Sequence, residues 1–450
     1  MMSSRIGKRA VVVGAGMGGL TAAGALTDVF EQVLVLERDT LPADAVERAA
    51  VPQGRHVHAL LAGGQLALGA LFPGFDDDLV RAGAVPIRMG LDIRTERPGF
   101  DPFPQRDLGF DAFAMSRALV EWLVRQRVRA LANVELRPGS RADALVARAD
   151  GTAVTGVRWG RGDGAHEILE ADLVVDASGR GTLTLELLAS VGLPAPEQTT
   201  IGVDLQYATC VFAIPDDAPA DWKGVFHFPH APRTSRGGLL LPLEGRRWIL
   251  TVAGRHGEHP PGDVEGFMAF TRGLRTRTIF DAIQPAKRLD EVARFGFPES
   301  VWRHYERLEA FPRGLLTVGD AVCRFNPVYG QGMSVAAMEA VALRRILAEA
   351  AGAPDPLAGL APPFFAAAAA AIENPWFGAA VPDFIHPQTR GTRPENFEMM
   401  LKFGAGLTRL AARDPAVHRL TAEVQNLLTP RSAYQDPELV QRILGVVAEG

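Results

Sequence analysis

Residues 9–37 read RAVVVGAGMGGLTAAGALTDVFEQVLVLE. Arg9 to Val13 is a short β-branched run that ends in Gly14-Ala15-Gly16-Met17-Gly18-Gly19. An alanine-rich helical stretch follows to about Thr27, then a second apolar strand, Val33–Leu36, closes on Glu37. Strand, glycine turn, helix and strand in this length form a βαβ unit. Gly14, Gly16 and Gly19 stand in G-x-G-x-x-G spacing: the first permits the tight turn, the second lets a pyrophosphate approach backbone, and the third lets helix pack on strand. The helix start offers unpaired N–H groups and partial positive charge to phosphates. Glu37 is placed to accept hydrogen bonds from a ribose, and its charge would repel a 2′-phosphate, which points to FAD or NAD rather than NADP. Arg38 has two readings, a nucleotide contact that softens this repulsion or a solvated loop arginine.

Outward from this unit, Ser116 N-caps a helix to Leu131, Val134–Arg158 alternates like two strands, and Asp172–Asp176 is a buried strand leading into Ala177-Ser178-Gly179-Arg180. From about Thr200 the pattern turns antiparallel, with a hairpin of Leu239–Leu243 and Arg247–Val252 about Glu244-Gly245. Leu315–Val318 returns to a buried strand, and Gly330–Ala350 is a long helix. The spacing predicts an α/β Rossmann-type nucleotide fold in discontinuous parts: residues 1–199 and 291–352 form the nucleotide domain, 200–290 an inserted antiparallel sheet domain for substrate, and 353–450 a helical C-terminal region.

The segment after Leu315 chooses between the two nucleotides. An apolar strand delivers Gly319-Asp320, where a carboxylate can hold a polyol; Asn326-Pro327 and Gly330-Gln331-Gly332-Met333 then open the long helix. Glycines at a helix start mark close approach of a ligand to backbone. Such a terminus can stabilise negative charge on a reduced flavin. NAD has no use for a second site so far down the chain, so the cofactor is expected to be FAD.

With both motifs in view, the chain resembles the flavoprotein monooxygenases of the para-hydroxybenzoate hydroxylase fold over about residues 8–350. The resemblance implies that Gly14, Gly16, Gly19 and Glu37 hold the ADP half of FAD, that Arg117 reaches its phosphates or ribityl chain, that Asp320 binds the ribityl chain, and that Gly330 to Met333 line the isoalloxazine. Pro52-Gln53-Gly54-Arg55-His56-Val57-His58-Ala59-Leu60-Leu61 and Asp176-Ala177-Ser178-Gly179-Arg180 are similar to segments of bacterial flavin epoxidases that oxidise polyketide alkenes. By that resemblance one oxygen atom of O2 passes through a flavin C4a-hydroperoxide to a hydrophobic small molecule, as epoxidation or hydroxylation in natural-product (antibiotic) biosynthesis. Arg55, His56 and His58 are then candidate catalytic residues: Arg55 to bind flavin or shield developing charge, a histidine to orient substrate or relay a proton. Ordinary loop hydrogen bonding serves either histidine equally well. The second segment departs from the Asp-Gly motif of NAD(P)H-using hydroxylases, so electrons from NAD(P)H arrive directly or through a separate flavin reductase.

Net charge is −5 without a long basic run, which argues against nucleic acid. Cys210 and Cys323 form no paired or metal-binding motif. No signal peptide is read at the N-terminus, and the apolar stretch Leu360–Ile372 is too short to cross a bilayer and holds Pro362 and Pro363, so a cytoplasmic location is expected. Four of the 47 basic residues are lysine, none between 9 and 222. A flavin halogenase, which needs such a lysine and a Trp-x-Trp-x-Ile-Pro segment, is set aside, as is a disulfide reductase. Two classes of alternative stay open: a flavin reductase or desaturase of isoprenoid C=C bonds, of the geranylgeranyl-reductase type, and a flavin-binding protein lacking catalysis or a cyclisation chaperone. Tyr207, Phe212, Phe226, Phe228 and Trp248 are read either as an apolar substrate wall or as plain sheet packing.

Overall fold

The computed structural model describes residues 5–48, 51–161 and 164–448. Its centre is a five-stranded parallel sheet in the spatial order Leu315–Thr317, Leu173–Asp176, Gly7–Val13, Phe30–Glu37, Val134–Pro138. The three inner strands are buried apolar runs, as a parallel sheet covered on both faces requires. One face carries the glycine-turn helix Met17–Leu26 and the long helix Gly332–Ala350, which lie against each other. The other carries a three-stranded antiparallel layer, Arg141–Ala147, Val154–Gly160 and His166–Glu170, through Leu145, Val157 and Trp159.

A seven-stranded sheet forms the second lobe. Its order is Cys323–Arg324, Ala293–Arg303, Gln198–Ala213, Arg247–Arg255, Gly237–Leu243, Gly224–His227, Ile93–Glu96. The hairpin at Glu244-Gly245 forms in the expected register, Leu243 opposite Arg247. Two elements depart from the sequence reading. Ala293–Arg303, assigned there to the nucleotide domain, pairs with Gln198–Ala213 in the antiparallel sheet. The edge strand Ile93–Glu96 comes from a region too broken by Pro, Gly and Asp to read, and is held by parallel pairing to Gly224–His227. Likewise, Val134–Arg158 is three strands, because Val134–Pro138 leaves its neighbours to pair with Phe30–Glu37.

Strand alternation sorts the aromatic residues. Phe212 and Trp248 face away from the nucleotide lobe, into a core closed by the helices Val264–Arg272 and Thr278–Ile283. Tyr207 lies on the opposite face with Phe295, and Phe226 packs there with Val57, Leu241 and Ile249. The set read as one wall is thus split between two faces.

The expectation that the apolar tail is too short for a span needs correction. A helix runs from Ala361 to Phe384 through Pro375 and Pro382, long and apolar enough by length and composition. Phe364, Phe365, Ile372 and Trp376 nevertheless lie in the protein's own core, and the helix ends on a buried charge, Asp383.

Candidate active site

The C-terminal ends of the parallel strands carry the site, where an open α/β sheet leaves a crevice. Gly14 takes φ +105° and donates its N–H to the Leu36 carbonyl at 2.8 Å. A Cβ on Gly19 would stand 1.8 Å from the Gly14 carbonyl oxygen, so only glycine lets this helix sit on this turn. A Cβ on Gly16 would meet nothing within 4 Å: its need for glycine comes from outside the protein's own packing.

Glu37 is buried at the end of its strand. One carboxylate oxygen accepts from the Ala15 N–H at 2.8 Å and pairs with Arg48 at 2.8 Å; the other accepts from the Asp39 N–H at 3.0 Å. Arg48 also bridges to Glu121 at 2.9 Å, and Glu121 pairs with Arg117 at 2.7 Å. Two acids and two bases from three segments thus converge beside the glycine turn. Ser116 caps the Arg117 helix as expected, accepting from the Leu119 N–H. One Arg117 guanidinium nitrogen is buried without a partner. Arg38 is exposed, and Arg48, which the sequence reading did not single out, occupies the buried position beside Glu37. Arg48 and Glu121 stand 73 residues apart, which leaves no local spacing to detect.

The second motif meets the first. A Cβ on Gly18 would lie 3.7 Å from the Gly319 Cα, and Thr21 donates to the Ala336 carbonyl at 3.4 Å. The first glycine turn therefore touches the Gly319-Asp320 turn, and its helix lies on the helix Gly332–Ala350. Asp320 reaches within 3.9 Å of where a Gly332 Cβ would stand. Burial raises its pKa, opposed by the positive charges of Arg324, Arg117 and Arg303. Gly319 donates its N–H to Glu339 at 2.7 Å, and burial pushes that acid up to about 7. Pro327 lies in a tight turn capped by Asn326, and Gly330 ends it at φ +66°. Gln331 hydrogen-bonds the Pro375 carbonyl at 3.2 Å, and Met333 is buried in the helix's first turn.

The histidine loop roofs this second start. A Cβ on Gly330 would stand 2.7 Å from the Ala59 Cβ, and Leu61 donates to the Ser334 hydroxyl at 3.0 Å. His56 is buried, 2.7 Å from the Thr209 hydroxyl and edge-on to Tyr207 at 4.5 Å between ring centres. It thus joins the loop to the sheet. His58 Nδ1 lies 3.0 Å from the His56 carbonyl, which can only accept, so Nδ1 carries the proton and Nε2 is a free acceptor. Burial pushes both histidines down to about 4, assisted by mutual repulsion and Arg55 at His56, and by Arg117 at His58. Arg55 itself is exposed and pairs with Glu47 at 2.8 Å. Asp176 is fully buried, accepting from the Ser178 N–H and the Thr184 hydroxyl and so fixing the turn and the next helix.

The residues present fit a flavin nucleotide on their own evidence: the space above Gly16, the unpaired Arg117 nitrogen, and a buried Gln331 oxygen with no partner at the second start. Residues 8–357 match the family described as "FAD binding domain". The chain belongs to that FAD-binding family. A Mycobacterium tuberculosis member, described as Protein Rv3254, is 36% identical over 356 residues, 77% of this chain and 75% of that one. Among solved structures, the flavin-dependent brominase Bmp2 aligns with TM-score 0.66 at 16% identity, covering 98% of each chain. Pseudomonas aeruginosa PqsL in complex with 2-aminobenzoylacetate gives 0.60 at 18%, covering 82% of this chain and 95% of that. Diels-Alderase PyrE3 gives 0.58 at 20%, covering 94% and 81%. These likenesses establish the para-hydroxybenzoate hydroxylase type of fold, and a brominase and a Diels-Alderase on one scaffold mean that activity must be argued from the site.

The histidines of this FAD-binding protein make its stability depend on pH. His56, His58, His227, His386 and His418 are all held near 4, below their unfolded value of 6.5. Between those values the unfolded chain binds more protons than the folded one, so stability is full above about pH 6.5 and falls as pH drops toward 4. Glu339, held up near 7, and Asp320, also raised by burial, act in the opposite sense, two groups against five histidines. The urea midpoint is expected to fall steadily from pH 7 to 4.5; a flat profile would contradict the burial of these rings.

Proposed function

We propose that the protein is an FAD-dependent monooxygenase that adds one oxygen atom to a hydrophobic small molecule, with alkene epoxidation preferred over hydroxylation and a role in natural-product biosynthesis. The observation that carries this reading is the packing of the first glycine turn on the second motif, Gly18 on Gly319, with the histidine loop packed on Gly330 and also touching the aromatic face of the second sheet.

In the proposed complex Gly14 to Gly19, Glu37 and Arg117 hold the ADP half, Asp320 the polyol, and Gly330 to Met333 the ring system. Bound FAD, once reduced, supplies reaction with O2. The chain's own work is to bind, orient and keep water out. The N–H groups at the start of the helix Gly332–Ala350 stabilise negative charge placed against them. His58 Nε2 accepts a hydrogen bond from a donor placed against it, while Nδ1 is fixed on the His56 carbonyl. Tyr207, Phe226 and Phe295 offer an apolar surface to substrate.

The histidine acidity favours the alkene. A base near pKa 4 is poorly matched to deprotonating a phenol, whereas epoxidation requires no such step. Delivery of electrons from NAD(P)H through a separate flavin reductase fits the commitment of Asp176 to its turn and helix.

The test is turnover with FAD and NADH or NADPH, with and without a flavin reductase, under oxygen, on panels of alkenes and phenols. A product heavier by one oxygen atom is expected from alkenes. A double bond saturated without oxygen, or a product lighter by two hydrogens, would place the protein with the reductases and desaturases. Substrate-independent reoxidation of the flavin with cyclisation of a polyene would mark a chaperone.

A further inference from the structure

The edge strand that the sequence concealed brings an arginine onto the face of the second sheet shared with His56. Phe226 stands opposite Thr95 and His227 opposite Glu96, so Phe228 and Arg97 extend the next row. That row continues through Gly237 and Ala253 to Tyr207, beneath the His56 ring. Four strand spacings of about 4.8 Å separate its ends, roughly 19 Å. Its middle is built of a glycine and an alanine, a shallow floor between aromatic ends.

The Arg97 guanidinium lies 4.8 Å from the Phe228 ring centre and 5.0 Å from that of Phe103. Among the described residues no side-chain hydrogen bond or ion pair reaches it, and its Nε is buried without a partner. Neighbouring acids are already committed: Glu96 points to the opposite face, bound by Arg94, Thr276 and Thr278, and Asp101 is bound by Arg275. Burial alone lowers its pKa, to about 10, with no carboxylate to offset it. It remains a cation at neutral pH. His418, on the C-terminal helix Pro415–Gln425, packs edge-on to Phe103 at 4.9 Å and also buries a ring nitrogen, Nδ1, without a partner. A half-buried guanidinium without its anion, with its Nε buried and unpaired beside a second unused polar atom, is set to take a charge partner from outside the protein.

We propose that Arg97 is the anion-recognition end of the substrate site, and that the substrate is an elongated, largely apolar carboxylic acid whose carboxylate it binds. This rests on the monooxygenase reading and narrows its substrate class. Arg97 acts on binding and orientation, with the apolar body of the acid lying over Ala253 toward Tyr207 and His56.

The probes are 2-naphthoate and its neutral isostere 2-naphthamide, titrated by equilibrium dialysis against the FAD-loaded protein. The wild type is expected to prefer the acid by about 10- to 100-fold, the range of a charge-assisted bond. Arg97→Met, which keeps the aliphatic stem between the two rings, brings the ratio near one without loss of bound FAD. Arg97→Lys retains part of the preference. Equal wild-type binding of acid and amide, no binding of 2-naphthoate at millimolar concentration, or an acid preference that survives in Arg97→Met would each overturn the assignment. A purely structural cation–π clamp would shift Tm in Arg97→Met while leaving the ratio unmoved. The flavin spectrum is read on the same samples: retained FAD leaves the cofactor reading standing when the acid preference fails, and colourless protein sinks that reading whatever the dialysis shows.

Discussion

Replacing Asp383 with alanine is expected to lower stability by about 3–5 kcal/mol, the cost of stranding a buried charge. Asp383 sits at the end of the helix Ala361–Phe384, and three partners from two other segments meet on its carboxylate. Arg255 pairs from the last residue of its strand, Tyr329 donates its hydroxyl at 2.7 Å, and Asn326 donates at 3.1 Å. Arg255 and Asp383 side chains are 8% and 1% exposed, so water cannot replace the lost partner. Arg255 also reaches the Tyr329 hydroxyl at 3.3 Å. The second sheet, the turn around Pro327–Tyr329 and the helix Ala361–Phe384 are thereby joined through a single carboxylate. Since Asn326 and Tyr329 flank Pro327 and precede Gly330, loosening them also disturbs the second glycine start. The expected results are a fall in Tm of about 10 °C, from the usual few degrees per kcal/mol, and weaker retention of FAD. Asp383→Asn keeps the shape and some hydrogen bonds and should fall between. A Tm within about 2 °C of wild type in Asp383→Ala would mean that the lobes are joined elsewhere.

This network shows why parts of the site were legible in the sequence and others were not. Gly14, Gly16, Gly19 and Glu37 lie within one βαβ unit, where spacing fixes geometry, and Gly319-Asp320 with Gly330 to Met333 repeat that logic locally. Ser116 could be read as a cap for the same reason: its partner, the Leu119 N–H, is three residues away. Asp383, Arg255 and Tyr329 are 54 to 128 residues apart, as the hydrogen bonds between them show, and no local pattern marks them. Arg48 is hidden in the same way, since its partners Glu37 and Glu121 lie on separate elements. The strand Ile93–Glu96 is only four residues long and half-buried, too short to show a period, and parallel pairing to Gly224–His227 gives it its conformation. The tail was misjudged for a different reason. The apolar stretch ends at Ile372, but the helix continues through Pro375 and Pro382, with Pro375 buried and Asp383 anchoring its end, so tertiary contacts outweigh the local penalty of proline.

The first glycine motif allows structure and ligand binding to be separated by two single-methyl substitutions. Gly19→Ala would drive a Cβ to 1.8 Å from the Gly14 carbonyl oxygen, a backbone atom in a turn that Gly14 already holds at positive φ. The helix must lift off its strand, and the core between Leu20, Val12 and Val35 opens with it. Low yield or a marked loss of Tm is expected even without cofactor. Gly16→Ala adds the same methyl where the protein has no atom within 4 Å. The apo-protein should keep its Tm, because alanine at a helix start is compatible with the φ of −78° found there. FAD affinity should nevertheless fall by more than about tenfold, because the methyl occupies the space through which a pyrophosphate approaches the backbone. Thermal melts of the apo-proteins and FAD titrations of both variants distinguish the two roles. Unchanged FAD affinity in Gly16→Ala would place the phosphates elsewhere, and would remove the reason for the first glycine turn to pack on the second motif.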